Sequence, residues 1–83
     1  MRIDLYLKQS RLIKRRKIAR EACDKGLVLI NGRVSKPSVK VKIGDEITLN
    51  LGAKQIVVTI TSLKLIRHEL MYQLISENFV GQK

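Results

Sequence analysis

The chain has 83 residues, one cysteine, one histidine and a formal net charge of +10. A chain of this length folds as one domain, here residues 1–83, and its small core leaves little room for a deep substrate cavity. A lone cysteine excludes an intramolecular disulfide and a cysteine-rich zinc site, and no apolar run approaches the roughly 20 residues of a membrane span.

The first predicted element is a short helix from Arg2 to about Lys8. Ile3, Tyr6 and Leu7 are spaced at i, i+3 and i+4, so they share one face of that helix. We expect this face to be buried. No signal-peptide apolar core precedes or overlaps it, so we expect a cytoplasmic protein.

A second helix is predicted from about Lys14 to Lys25, followed by Gly26 as a helix-ending residue. Its predicted buried stripe consists of Ile18, Ala19, Ala22 and Cys23. Four consecutive basic residues open this helix and oppose its dipole. Because a sequence selected for helix stability would place acids there, this departure indicates a functional surface.

Strands follow the helices. Leu27–Ile30, Asn31-Gly32 and Arg33-Val34 predict a hairpin with a type I′ turn, since both central residues of that turn need positive φ. Alternating β-branched residues predict two further strands, Glu46–Leu51 and Gln55–Thr61, after a turn at Gly44-Asp45.

The tail from about His68 to Glu77 has apolar residues at helical spacing and predicts a short amphipathic C-terminal helix. The predicted fold class is therefore α+β, with two N-terminal helices on a small antiparallel sheet. Residues 1–50 would form the core motif, and residues 51–83 the last strand and the C-terminal helix.

The positive charge is concentrated in one half of the chain. Residues 1–42 carry thirteen Lys/Arg and three Asp/Glu, whereas residues 43–83 carry four of each. A merely solubilising surface could be spread anywhere, so this asymmetry favours a polyanionic partner met by one side of the molecule. Arg16 and Arg20, one helical turn apart, would lie about 6 Å from each other at Cβ, close to the spacing of phosphates along a strand.

The order of these motifs resembles the S-four RNA-binding domain. The matching stretches are Arg2–Leu7, Arg16–Ala19, Gly26, Ile30–Val34, Lys36–Ser38 and Gly44–Ile47. The chain is most similar to the short stand-alone members of that family that act in ribosome-associated quality control. The resemblance implies no cofactor and no catalytic residues, only RNA contacts.

The implied partners are large-subunit ribosomal RNA, the P-site peptidyl-tRNA of an obstructed large subunit, and an RqcH-type factor whose alanine tailing the protein would support. No membrane and no small-molecule substrate are implied, and we expect a monomer. The expected RNA-binding residues are basic and come from both helices and the loop after the hairpin: Arg2, Arg11, Lys14, Arg15, Arg16, Lys17, Arg20, Lys36 and Lys40.

Other polar residues have simpler expected roles. Asp4 and Asp45 would bind backbone or arginine donors, and Arg2 could pair with either acid. Asn31 would serve the turn, and Cys23 would be a small core residue.

Three other functions stay open on the sequence. Catalysis would need a base beside a nucleophile or paired carboxylates, and neither arrangement is evident. A DNA-binding helix-turn-helix regulator would carry base-reading side chains on its second helix, where this chain carries phosphate-binding charge. A heat-shock-type relative that recycles stalled free large subunits would use the same RNA surface.

Overall fold

A computed structural model describes residues 1–65 and 69–79 of the chain. Its elements, in chain order, are α1 (Ile3–Gln9), α2 (Arg16–Asp24), β1 (Val28–Ile30), β2 (Arg33–Val34), β3 (Glu46–Leu51), β4 (Lys54–Ile60) and β5 (Tyr72–Phe79). The strands form an antiparallel sheet in the order β2-β1-β3-β4-β5. The predicted α+β class, with two N-terminal helices and a small antiparallel sheet, is confirmed.

Helix α1 is held in the core by the face that its apolar spacing predicts. Ile3, Tyr6 and Leu7 are fully buried. The Tyr6 hydroxyl donates a hydrogen bond of 2.6 Å to the carbonyl oxygen of Met71, which is itself buried just before β5. This bond satisfies the polar end of a buried tyrosine and connects the N-terminal helix to the residue that precedes β5, the strand at one edge of the sheet.

Helix α2 packs on α1 and β1 through a narrow stripe of small residues, Ala19, Ala22 and Cys23. Ile18 was predicted to belong to that stripe, but this prediction is wrong, because its side chain is 48% exposed. On a helical wheel it lies roughly 90° from the centre of the stripe, beyond the reach of the neighbouring elements. Within residues 1–65 and 69–79, neither helix is long and apolar enough to cross a membrane.

The first hairpin forms as the sequence predicts. Asn31 and Gly32 connect β1 to β2 with φ angles of 52° and 84°, the positive values that a type I′ turn requires. Residues 52 and 53 join β3 to β4, and β4 begins one residue earlier than predicted, at Lys54.

The predicted C-terminal helix is wrong where the structure describes that segment. Tyr72–Phe79 is a strand that pairs with β4 along the whole of β4. His68, where the helix was predicted to begin, lies outside the described residues. The pairing satisfies the backbone donors and acceptors that β4 would otherwise expose, and a lone helix over these residues would not.

A β-bulge explains why this strand has helix-like apolar spacing. Val58 pairs with Leu74 and Val57 with Ser76, so Ile75 is the extra residue of β5. An extra residue interrupts the period of two that marks a regular strand. Adjacent Leu74 and Ile75 therefore gave the appearance of an amphipathic helix, although both side chains are about half exposed.

Candidate nucleic-acid interface

The centre of the basic surface is a buried acid. Asp4, in the first turn of α1, is fully buried. Its Oδ2 accepts a hydrogen bond of 3.2 Å from Arg2 Nη2 and lies 3.5 Å from Arg16 Nε, while its Oδ1 lies 3.5 Å from Arg16 Nη2. Oδ1 also accepts a hydrogen bond of 2.7 Å from the Leu5 backbone N–H. We call Asp4, Arg2 and Arg16 the Asp4 cluster.

Backbone hydrogen bonds fix the position of Arg2 against the loop after the first hairpin. The Ile3 N–H donates to the Val39 carbonyl at 2.7 Å, and the Val41 N–H donates to the Met1 carbonyl at 2.9 Å. Arg2 and Lys40 face each other in an antiparallel β-bridge. The chain start is therefore part of the folded surface, and it brings Lys40 beside the Asp4 cluster.

Helix α2 supplies the other side of this surface. Arg16 begins the helix and Arg20 follows one turn later, so both side chains project from the same edge of the buried stripe. Arg2, Arg20 and Lys36 line an open groove of about 480 Å³ between α2 and the segment after β2. Cys23 and Pro37 also line it. We call Arg2, Arg16, Arg20, Lys36 and Lys40 the basic face.

The remaining predicted site residues neither bind Asp4 nor line the groove. Arg11, Lys14 and Arg15 are exposed on the connection between the helices, which is anchored by buried Ile13. Lys17 is exposed on α2, one turn from Glu21. In the described part of the chain, none of these four bases is in an ion pair.

Two features of the site were not evident from the sequence. Asp4 was expected to bind arginine donors, but its contact with Arg16, twelve residues away, is a tertiary contact that no local pattern predicts. Arg11 has a φ of 68°, a left-handed conformation that follows the end of α1. A glycine would have signalled it, since arginine rarely adopts that conformation.

The other polar residues have the simpler roles that the sequence predicts. Cys23 is buried on the apolar stripe of α2. Asp45 binds the backbone N–H and the ammonium group of Lys42, and the side-chain amide of Asn31. Among residues 1–65 and 69–79, no group of three or more His, Cys, Asp or Glu side chains is arranged to hold a metal ion.

Comparison with known proteins identifies the family of this chain. The family model of the S4 domain matches residues 1–47, which contain both helices, the first hairpin and the whole basic face. The chain belongs to the S4 domain family. The sequence resemblance to this domain is thereby confirmed.

Its curated relatives share one name. The chain is 48% identical over 64 residues to the RQC P-site tRNA stabilizing factor of Halalkalibacterium halodurans, which covers 77% of this chain and 73% of the relative. It is 39% identical over 86 aligned positions to the factor of the same name from Streptococcus pneumoniae, covering 99% and 98% of the two chains. RQC denotes ribosome-associated quality control.

A solved structure shares the fold. Heat Shock Protein 15 of Vibrio cholerae, described as trimeric, superposes with a TM-score of 0.81 over 92% of this chain and 82% of its own, at 31% sequence identity. The S4 fold therefore extends beyond the matched residues to most of the sheet.

Proposed function

We propose that this chain is a non-enzymatic RNA-binding factor of ribosome-associated quality control. It binds the obstructed large ribosomal subunit that carries peptidyl-tRNA, with the basic face against ribosomal RNA and the P-site tRNA. It acts as a monomer and supports alanine tailing by an RqcH-type factor. The four outlying bases, Arg11, Lys14, Arg15 and Lys17, contribute further phosphate contacts.

The observation that carries the proposal is the convergence of five bases on one surface. They come from the chain start, from α2 and from the loop after β2: Arg2, Arg16, Arg20, Lys36 and Lys40. Structured RNA is bound mainly through its shape, phosphates and 2′-hydroxyls, a task suited to guanidinium and ammonium groups on a rigid scaffold. Arginine adds bidentate phosphate contacts that lysine cannot make.

The absence of catalysis in this proposal agrees with the state of the thiol. Burial, with smaller contributions from the charges of Asp4 and Asp24, raises the pKa of Cys23 to about 11. A nucleophilic cysteine needs the opposite shift, since the thiolate is the reactive form. Cys23 therefore supports a packing role.

The quality-control part of the proposal is supported by the relatives. Factors from several bacteria at 39–50% identity are named for stabilising the P-site tRNA in RQC. Alanine tailing is a reaction in which a stabilised P-site tRNA would be used. For this reason the proposal includes support of an RqcH-type tailing factor.

Co-sedimentation through sucrose gradients tests the proposal. Tagged protein is compared on empty large subunits, large subunits bearing peptidyl-tRNA, and intact ribosomes. We expect enrichment on the peptidyl-tRNA-bearing subunits, loss of that enrichment with Arg16→Ala, and retention with Lys64→Ala. The control removes one exposed lysine from the net-neutral half of the chain. Equal loss in both variants would contradict a localised interface.

A second candidate function is favoured by the structural similarity to Heat Shock Protein 15. It is the recycling of stalled free large subunits through the same basic face. Equal binding to empty and peptidyl-tRNA-bearing subunits would support this function over tRNA stabilisation. Equal affinity for duplex DNA and structured RNA would instead support the helix-turn-helix alternative.

A further inference from the structure

We infer that Asp4 is a positioning residue of the RNA interface, which holds the guanidinium groups of Arg2 and Arg16 in the orientation that phosphates require. The inference rests on the proposed RNA-binding function and deepens it. It assigns a favourable role in binding a polyanion to a residue that itself carries negative charge.

The geometry of Asp4 supports this role. The carboxylate is fully buried and is fixed to its own helix by the 2.7 Å hydrogen bond from Leu5 N–H. Its two oxygens both face Arg16, one toward Nε and one toward Nη2. Arg2 approaches the same carboxylate through Nη2. One rigid acid therefore restrains two arginines that are fourteen positions apart in sequence.

The donors that Asp4 leaves unused are the ones a phosphate would need. A guanidinium group has five N–H donors in a fixed plane. Arg16 presents the Nε–Nη2 edge to Asp4, so the adjacent end edge, formed by Nη1 and the second Nη2 hydrogen, can make two parallel bonds to a phosphate. Both arginine side chains are 44% exposed, so a phosphate can approach them from solvent while Asp4 holds them.

Two bases on one acid leave the cluster positively charged. Neutralising the buried Asp4 would need a single arginine, and the second adds a net positive charge at the surface. The cluster also lies next to the groove, which Arg2 lines together with Arg20 and Lys36. An RNA strand with one phosphate at the cluster could therefore run on along the basic face.

If Asp4 positions the arginines, its neutralisation should change RNA affinity in the direction opposite to the one that net charge alone predicts. Replacing an acid on a basic surface raises its net positive charge, which by itself strengthens binding to RNA. A positioning role predicts that Asp4→Asn weakens binding, because the uncharged amide no longer holds the two guanidinium groups. Asp24→Asn is the matched control, since Asp24 is an exposed acid that lines the same groove.

The experiment measures the affinity of each variant for large ribosomal subunits bearing peptidyl-tRNA, well below the melting temperature of every variant. We expect Asp4→Asn to bind about tenfold more weakly than the wild type, the effect of losing one oriented charge-assisted contact. Asp24→Asn should bind as tightly as the wild type or more tightly. Asp4→Asn binding at least as tightly as the wild type would overturn the inference.

Arg16→Ala distinguishes failure of this inference from failure of the proposed function. If Arg16→Ala weakens binding and Asp4→Asn does not, the interface stands and the positioning role falls. If neither change weakens binding, the proposed interface falls with it. In the Arg16→Ala background, we expect Asp4→Asn to have a much smaller effect than it has in the wild type.

A measurement on the wild-type protein keeps the inference testable even if Asp4→Asn does not fold. Nuclear magnetic resonance of the arginine Nε–H groups reports how rigidly each guanidinium is held. We expect slow hydrogen exchange and a high order parameter for Arg16 Nε–H compared with exposed Arg33. Equal mobility of the two side chains would show that Asp4 does not position Arg16.

Discussion

Asp4 and Asp45 are both buried aspartates, but they differ in the groups that they bind. Asp4 and Asp45 both lie almost completely out of solvent, and each binds a cation and a backbone N–H. The other partner of Asp45 is the side-chain amide of Asn31, at 3.1 Å. The other partner of Asp4 is a second arginine, Arg16.

We propose that the difference in partners separates a folding role from a binding role. Asn31 also accepts a hydrogen bond from Glu46 N–H at 2.9 Å, so Asp45 and Asn31 together lock the first hairpin to the start of β3. Their bonds are satisfied within the fold. The arginines around Asp4 have side chains that are each 44% exposed, and each has N–H donors beyond those bound to Asp4. We therefore propose that Asp45, bound to Lys42 and Asn31, stabilises a turn, whereas Asp4, bound to two arginines, belongs to a binding surface.

The largest expected effect in this comparison is on stability. Asp45→Ala leaves the Asn31 amide and the Lys42 N–H without their acceptor, so we expect the free energy of unfolding to fall by about 1.5–3 kcal/mol. Urea denaturation measures it. At a temperature where the variant is folded, its affinity for large subunits should equal that of the wild type. A loss of affinity in the folded variant would break the distinction between the two aspartates.

Arg16→Ala should show the reverse pattern. We expect binding to large subunits to weaken by about 1–3 kcal/mol, because a charge-assisted phosphate contact is lost. The free energy of unfolding should change by less than about 1 kcal/mol, since the buried Asp4 carboxylate keeps its bonds from Arg2 and Leu5 N–H when the partly exposed Arg16 is removed. Parallel titration and denaturation measure both quantities. Unchanged affinity with a normal melting temperature would remove Arg16 from the interface.

A smaller effect sharpens the boundary of the basic face on α2. Arg20→Ala should weaken binding by about 1 kcal/mol, because Arg20 lines the groove. Lys17→Ala should weaken RNA binding by less than about 0.5 kcal/mol. Lys17 does not line the groove, and the negative charge of Glu21, one turn away on the exposed side of α2, offsets its attraction for phosphate. The salt dependence of binding should be reduced more by Arg20→Ala. Equal effects would show that α2 binds RNA along its whole exposed surface.

The smallest expected effect is acid destabilisation through Asp45. Burial by itself raises the pKa of Asp45, but hydrogen bonds from Lys42 N–H and Asn31 and the Lys42 ammonium group outweigh it and hold the pKa below its usual value of 3.8. A depressed folded-state pKa stabilises the protein above the unfolded pKa, and that stability is lost as pH falls below about 4. Asp45→Asn should flatten the decline of unfolding free energy in that range. An unchanged pH profile would show that Asp45 is not responsible.

The sequence predicted most elements whose signals are local. Asn31-Gly32 has one favourable turn geometry, and the alternation in β3 and β4 matches a half-buried sheet, so the first hairpin and these two strands were correct. The end of α2 was correct as well, because Gly26, with a φ of 75°, has the left-handed conformation that ends helices. These residues determine their conformation with little help from distant contacts.

The errors and omissions arose where distant residues decide the conformation. Ile75 is a bulge residue only because β4 fixes the pairing register, and without that knowledge Leu74 and Ile75 predict a helix. Ile18 is 48% exposed because the side of α2 that is buried is set by its packing on α1 and β1. Charge and family resemblance indicate nine basic residues for RNA binding. Their division into a basic face and four outlying bases depends on tertiary contacts that the sequence does not contain.

We propose above all that the Asp4 cluster contacts RNA on the large subunit. The most direct test is a cryo-electron microscopy structure of the protein bound to a large subunit that carries peptidyl-tRNA. We expect phosphate oxygens within hydrogen-bonding distance of the guanidinium groups of Arg2 and Arg16, with Asp4 between the two side chains and an RNA strand continuing along the groove. RNA bound instead to the strand edge of β5, with the Asp4 cluster facing solvent, would contradict it.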